Sequence, residues 1–212
     1  MDILSQIAEQ LQLGEEERVG ELTREAIRRG LAPKEILDQG LIAGMNVVGE
    51  KFRTHEIFLP DVLLAAKAMY VGMDELRPLL VKEGIPPMGR IVIGTVQGDL
   101  HDIGKNLVGV MLKGAGFEVV DLGNNVPPAR FVEAAQESGA QVIGMSALLT
   151  TTMPVMGQVV GLLRERGLAG QVRTIIGGAP VSSEFARQIG ADAYAYDGAN
   201  AVERVKTLMG AA

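Results

Sequence analysis

One short stretch of this chain constrains the fold more than any other. An apolar run, Ile91–Ile93, leads into a glycine-punctuated turn that contains Gly98, Asp99 and His101, and an apolar helical pattern begins at Leu107. This order predicts a β-strand, a turn and the start of a helix. In an open sheet of alternating strands and helices, ligands bind outside the carboxyl ends of the strands, where this turn should lie. The turn is therefore the first candidate for a functional site.

The turn alone leaves the choice between local structure and ligand binding open. A polar loop in which Asp102 caps the following helix is a common arrangement. A phosphate-binding loop is disfavoured, because the glycines follow neither GxGxxG nor GxxxxGK[ST] and because Asp99 and Asp102 would repel a phosphate. The choice between a cap and a ligand site depends on the rest of the chain.

The hydrophobic period changes once along the chain. Residues 1–84 carry apolar-striped helical segments with short connections, which predicts a four-helix bundle. The third segment runs from Pro33 to Phe52, either whole or broken at Gly40, and Gly40 and Gly44 leave small positions where another backbone can approach closely. Residues 85–89 form a linker rich in Gly and Pro.

Residues 90–212 alternate short apolar runs with helical patterns. This alternation predicts an α/β domain with a doubly wound, parallel, five-stranded sheet of flavodoxin-like or Rossmann-like order. Short, nearly continuous apolar strands are expected when helices cover both faces of a sheet. The strands are predicted at Ile91–Thr95, Glu118–Leu122, Val142–Ser146, Arg173–Ile176 and Ala193–Tyr196.

The composition excludes several classes of partner. The chain has 212 residues, a net charge of −6 and no basic block, which argues against nucleic acid and anionic membranes as main partners. It contains no cysteine, so it forms no disulfides and is compatible with a reducing cytoplasm. No apolar run is long enough to span a membrane, and the N-terminus lacks the basic region of a signal peptide. We expect a cytoplasmic protein.

Three segments that follow successive predicted strands resemble the motifs of cobalamin-binding domains, which are DxHxxG, SxL and GG. The segments are Asp99-x-His101-x-x-Gly104, then Ser146-x-Leu148 with the following Thr150–Thr152, then Gly177-Gly178. Their order and wide spacing also fit the family. The resemblance covers nearly the whole chain and extends to both parts of the B12-binding module of methionine synthase. The chain resembles still more closely the small corrinoid proteins of methylotrophic and acetogenic methyltransferase systems, such as those for methylamines, methanol and methoxylated aromatics.

The resemblance implies that His101 is the lower axial ligand of cobalt, in the base-off, His-on mode of binding. In the family an Asp bonds this histidine and a hydroxyl residue bonds the Asp, and these positions are Asp99 and Thr152 here. The family usually has Ser where this chain has Thr152. The nucleotide tail of the cofactor would enter a slot in the sheet that small or hydroxyl-bearing residues line. The remaining cofactor-binding residues in this domain are predicted to be Gly98, Asp102, Gly104, Ser146, Leu148, Thr150, Gly177 and Gly178.

The helical part carries a second point of resemblance. A Phe and a Leu at the spacing of Phe52 and Leu59 cover the upper face of the corrin in the family's cap domain. A place in the bundle core is the default for such residues. The second histidine, His55, lies in a polar loop and is expected to be exposed to solvent.

The resemblance implies a non-catalytic carrier of methyl groups on cobalt. Its partners would be a substrate-specific corrinoid methyltransferase, an acceptor methyltransferase that uses a tetrahydrofolate or a thiol, and a reductive activase. Its cofactor would be cobalamin or a related corrinoid. The alternatives are the cobalamin-binding subunit of an adenosylcobalamin mutase, a cobalamin-dependent sensor, and a receiver domain with Asp99 as phosphoacceptor.

Overall fold

The computed structural model describes residues 2–210 and divides into two compact units. The first unit extends to Pro87 and includes Gly114–Gly116. The second unit comprises Met88–Lys113 and the chain from Phe117 onward. No helix within residues 2–210 has both the length and the apolar character needed to cross a membrane.

The first unit is helical and contains the predicted succession of four helical segments. Its third segment is neither one regular α-helix nor a helix broken at Gly40, because α3 passes into a π-helix, π1, and then into α4 without interruption. A π-helix bonds i to i+5 and widens the turn locally, so a pattern of period 3.6 does not reveal it. The helices are α1 (Ile3–Gln12), α2 (Glu16–Arg28), α3 (Pro33–Glu35), π1 (Ile36–Ile42), α4 (Ala43–Arg53) and α5 (Leu59–Lys82).

Two glycines allow α1 to lie close against π1 and α4. A Cβ at Gly40 would lie 3.2 Å from Cγ2 of Ile7, and a Cβ at Gly44 would lie 2.9 Å from the carbonyl oxygen of Ala8. The predicted close approach of another backbone is therefore confirmed at Gly44. The core of this unit is apolar and includes the fully buried Ile7, Leu11, Ile36, Leu41 and Leu76.

The second unit is a five-stranded parallel sheet, as predicted, with the strand order β2-β1-β3-β4-β5. Four helices connect successive strands and α10 follows the last strand; they are α6 (Ile103–Gly114), α7 (Pro128–Ser138), α8 (Pro154–Glu165), α9 (Ser183–Ile189) and α10 (Gly198–Leu208). The strands are β1 (Arg90–Thr95), β2 (Glu118–Asp121), β3 (Val142–Ser146), β4 (Arg173–Gly177) and β5 (Ala193–Ala195). Their bounds differ from the predicted ones by a single residue at β1, β2, β4 and β5.

The register of the sheet brings the three motif segments to one edge. Thr95 at the end of β1 pairs with Ser146 at the end of β3, and Ser146 pairs with Gly177 at the end of β4. The strands β2 and β3 lie on opposite sides of β1, so the chain reverses its winding direction there. Ligands bind at such a switch point in open α/β sheets.

Candidate functional site

His101 lies in the turn between β1 and α6 and exposes 53% of its side chain, whereas the Asp99 side chain beside it is fully buried, with an exposure of 0%. The Nδ1 atom of His101 lies 2.7 Å from Oδ1 of Asp99. An ionised carboxylate only accepts hydrogen bonds, so Nδ1 carries the proton and Nε2 keeps its lone pair. No group within residues 2–210 bonds Nε2. The turn thus presents Nε2 of the imidazole to the outside.

The second carboxylate oxygen of Asp99 is held by the loop that follows β3. Oδ2 accepts the backbone N–H of Leu148 at 2.7 Å and the hydroxyl of Thr152 at 3.0 Å, for which the carbonyl oxygen of Leu149 at 2.8 Å is a competing acceptor. It also accepts the N–H of Leu149 at 3.2 Å. Because the same carboxylate bonds His101, the orientation of the imidazole is tied to the loop between β3 and α8.

These bonds also determine the charge of the site. Burial by itself raises the pKa of Asp99, but the N–H groups of Leu148 and His101, the ring of His101 and the hydroxyl of Thr152 donate to its carboxylate. Their combined effect outweighs burial and holds the pKa of Asp99 well below its usual range. Asp99 therefore remains ionised at neutral pH and keeps its role as an acceptor.

The four glycines of the predicted tail slot have different surroundings. Gly178 has φ +125° and a Cβ there would lie 1.9 Å from the carbonyl oxygen of Ala147. Gly98 has φ +85°, and a Cβ at Gly177 would lie 3.0 Å from a backbone oxygen of β5. Gly104 differs, because nothing lies within 4 Å of the position its Cβ would take. The backbone itself therefore requires glycine at 98 and 178, while Gly104 borders open space.

The other predicted residues of this domain also lie around the turn or the loop after β3. The carbonyl of Asp102 accepts the N–H of Asn106 at 2.7 Å and so begins α6. The carbonyl of Ser146 accepts the N–H of Val96 at 3.0 Å, which joins the ends of β3 and β1. Leu148 and Thr150 are both exposed.

Phe52 and Leu59 lie in the helical unit, at the end of α4 and the start of α5. Both are half-buried, so neither belongs to the fully buried core of that unit. The loop between them contains His55, which is exposed as expected and has φ +61°.

Sequence reasoning missed a second loop at the site, between β2 and α7. Asn125 in this loop accepts the N–H of Gly98 through Oδ1 at 2.8 Å. Lys105 in α6 donates to both carboxylate oxygens of Asp121, at 2.6 Å each. The sequence contains part of this information, because polar residues closely follow β2 and because the predicted flavodoxin-like order places β2 beside β1.

The surroundings of His101 fit a flat, largely apolar ligand that carries a metal. Leu100 and Ile103 beside it are 69% and 74% exposed, which is unusual for large apolar side chains. A corrin itself supplies four nitrogens to its cobalt, so a protein acts on the metal through the axial positions, and an imidazole with its second nitrogen held by an acceptor suits such a position. His101 and Asp99 provide this donor set. Fold and site together define the class as a corrinoid-binding α/β module with a helical unit.

Comparison with known proteins leads to the same class. A family model described as "B12 binding domain" matches residues 89–206, and a second model of the same description matches residues 3–77. The dimethylamine corrinoid protein 1 of Methanosarcina acetivorans is 49% identical over 84% of both chains. The trimethylamine corrinoid protein 1 of the same organism is 44% identical over 92% of this chain and 91% of its own.

A solved structure agrees with these relatives. The methanol:cobalamin methyltransferase complex MtaBC of Methanosarcina barkeri matches with a TM-score of 0.87 and 32% identity, covering 99% of this chain and 80% of that one. The chain belongs to the family of B12-binding corrinoid proteins. Its cofactor is cobalamin or a related corrinoid.

Proposed function

We propose that this protein is a methyl carrier of a methyltransferase system and that His101 is the lower axial ligand of its corrinoid. When bound, the corrinoid supplies a cobalt atom that takes a methyl group from one partner and gives it to another. The observation that carries the proposal is the state of His101, which has Nδ1 bonded to a buried carboxylate and Nε2 free toward solvent. This is the arrangement that orients an imidazole for a metal.

Each residue of the candidate site has a separate task. Asp99 fixes the tautomer and the ring plane of His101. Thr152 and the N–H of Leu148 keep the Asp99 carboxylate in place and ionised. The open space beside Gly104 supports base-off binding, in which the cofactor's own lower base leaves the metal and its nucleotide tail enters the protein. The exposed Leu100 and Ile103 offer an apolar surface to the corrin ring.

We propose that Phe52 and Leu59 shield the reactive face of the bound cofactor. Their partial exposure supports this role, because a side chain committed to the bundle core would be buried. Replacing both by Ala should leave the cofactor bound and make the photolysis of its methyl form faster. Unchanged photolysis together with a large loss of stability would support a core role instead.

The names of the relatives support a methylated amine or an alcohol as the methyl donor, since the similar proteins are named for dimethylamine, trimethylamine and methanol. The partners would be a substrate-specific corrinoid methyltransferase and an acceptor methyltransferase that uses a tetrahydrofolate or a thiol. A reductive activase would restore the cofactor after accidental oxidation. We propose that the chain itself does not catalyse either transfer.

The role of His101 is tested by reconstituting the protein with cob(II)alamin and recording its electron paramagnetic resonance spectrum with ¹⁴N-histidine and ¹⁵N-histidine. A hyperfine splitting that changes with the isotope is expected for the parent and for His55→Ala, the matched control for the second histidine. His101→Ala should abolish the splitting. A parent spectrum without histidine coupling would remove His101 from the metal.

The carrier role is tested separately with isotopically labelled trimethylamine or methanol. Label should reach the protein-bound corrinoid only when a substrate-specific methyltransferase is added, and should leave it only with an acceptor methyltransferase. Methyl transfer by the reconstituted protein alone would contradict the non-catalytic role. Binding of adenosylcobalamin in preference to methylcobalamin would favour a mutase subunit.

A further inference from the structure

We propose that Asn125, in the loop between β2 and α7, is a positioning residue for His101. The inference rests on the proposed function, because it concerns how the chain holds the imidazole that ligates the metal. The Asp99 carboxylate is held from one side, by the loop after β3. The geometry assigns to Asn125 the task of holding the backbone around Asp99.

Asn125 makes two hydrogen bonds to the backbone of the turn. Its Oδ1 accepts the N–H of Gly98 at 2.8 Å, and its own N–H donates to the carbonyl oxygen of Asp99 at 3.0 Å. One bond holds the residue before Asp99 and the other holds the carbonyl of Asp99 itself. Together they restrain the position of its Cα, while the loop after β3 holds its carboxylate. A residue held at both its backbone and its side chain has little freedom to rotate. His101 bonds Asp99 through both its backbone N–H and its ring, so the orientation of the imidazole is restrained as well.

The backbone of Asn125 explains why an asparagine suits this position. Its φ is +53°, in the left-handed region that most residues avoid and that Asn enters more readily than most. Glycine also tolerates this region but has no side-chain acceptor. The position therefore combines two requirements, a left-handed backbone and an acceptor for Gly98.

The loop that carries Asn125 is anchored at its start. The carboxylate of Asp121 accepts Nζ of Lys105 at both oxygens and the N–H of Gly123 at 2.9 Å. The Lys105 side chain is only 4% exposed, so this ion pair is largely removed from solvent on the lysine side. The carbonyl of Gly123 in turn accepts the N–H of Thr95 at 2.9 Å, at the end of β1. Lys105 lies in the first turn of α6, so the loop is tied to both ends of the turn that carries His101.

The test compares three variants. Asn125→Gly permits the left-handed backbone and keeps the N–H to Asp99, while it removes the side-chain acceptor and gives the loop more backbone freedom. Asn125→Asp keeps an oxygen that can accept from Gly98 and serves as the conservative rescue. Asn124→Ala changes the neighbouring exposed residue of the same loop and is the matched control. The affinity for aquocobalamin is measured by absorbance titration, and histidine coupling is measured in the cob(II)alamin form.

Asn125→Gly should bind aquocobalamin more weakly than the parent, by more than about twofold but by less than the loss of about 10-fold or more that is typical when a direct outer partner of a metal-binding histidine is removed. It should also show a smaller fraction of histidine-coupled cobalt. Asn125→Asp and Asn124→Ala should stay within about twofold of the parent, and the melting temperatures of the apo-proteins should agree. Equal affinity and equal coupling in Asn125→Gly would overturn the inference, and so would an Asn125→Asp variant as weak as Asn125→Gly.

Amide hydrogen exchange in the unaltered apo-protein gives a test that does not depend on any variant folding. The N–H of Gly98 should be protected, and rapid exchange at Gly98 would overturn the inference. The parent spectrum distinguishes a failure of the proposed function from a failure of the role of Asn125. Absence of histidine coupling in the parent overturns the proposed function and this inference with it, whereas a coupled parent with equal coupling and equal affinity in Asn125→Gly overturns this inference alone.

Discussion

The Oδ1 atom of Asp99 lies 2.7 Å from the Nδ1 atom of His101, and only the histidine of this pair reaches solvent. A buried carboxylate thus controls the proton position and the orientation of an exposed imidazole. The pair explains why the sequence spacing of two residues matters, since the turn after β1 brings these side chains together. It also makes the behaviour of the site sensitive to changes at a residue that touches no solvent.

Replacing Asp99 by Asn should weaken corrinoid binding by about 10- to 100-fold, because the amide no longer provides a charged acceptor for the His101 ring. Absorbance titration with aquocobalamin measures the effect. Asp74→Asn is a matched control, since Asp74 is an exposed carboxylate of α5 paired with Arg77. Equal binding by the Asp99 and Asp74 variants would contradict the proposed role of the pair.

We expect the protein to tolerate Ser at position 152 and to be destabilised by Val there. The side chain is 6% exposed and its hydroxyl donates to Asp99, so Thr152→Val leaves a buried charged acceptor with one donor fewer. We expect the free energy of unfolding to fall by about 1–3 kcal/mol for Val. Thr152→Ser keeps the hydroxyl and should lose less. Urea denaturation of the apo-proteins gives both values, and a Val variant as stable as the parent would be evidence against the hydrogen bond.

Asp99 should also make the stability of the protein depend on pH. The pKa of Asp99 is lower in the folded state than in the unfolded chain, so the unfolded chain binds a proton first as the pH falls. The stabilising contribution is complete above the ordinary carboxyl pKa of about 4 and is lost progressively below it. The stability difference between the parent and Asp99→Asn should therefore stay nearly constant above about pH 5 and shrink as the pH falls from about 4 to about 2. A difference that stays constant over this range would contradict the lowered pKa.

Two glycine substitutions should separate structural from cofactor roles. Gly178→Ala places a Cβ 1.9 Å from a backbone oxygen of Ala147 at φ +125°, so the fold should lose several kcal/mol or fail to form. Gly104→Ala meets no atom within 4 Å and should leave the apo-protein nearly as stable as the parent. Thermal unfolding measures both. If Gly104 borders the cofactor, Gly104→Ala should still weaken aquocobalamin binding, whereas unchanged binding would exclude it from the site.

Much of the sheet could be predicted because its signals are local. The run Ile91–Ile93 and the similar apolar run in β3 are typical of buried parallel strands, and the glycine-rich turns mark where they end. The encounter of Asp99 with Thr152, 53 positions along the chain, follows once β1 and β3 are adjacent. Parallel neighbours end at the same edge, so their loops meet.

Other features depend on geometry that residue patterns do not encode. The π-helix π1 replaces a regular turn by a wider one, and its bonding pattern leaves no clear periodic signal. The contact between Asn125 and Gly98 requires a left-handed φ at a residue other than glycine. Lys105 reaches Asp121 only through a long, buried side chain, which is unusual for lysine. Such contacts depend on tertiary placement.

The paired residues Thr95, Ser146 and Gly177 lie in one row across the sheet, and the turns after β1, β3 and β4 begin at that row. The sheet therefore gives these three turns a common starting position. A change in the length of a flanking helix would leave that starting position unchanged. An extra residue inside β1 would have a different effect, because side chains alternate between the two faces and Asp99 would be turned away from Thr152.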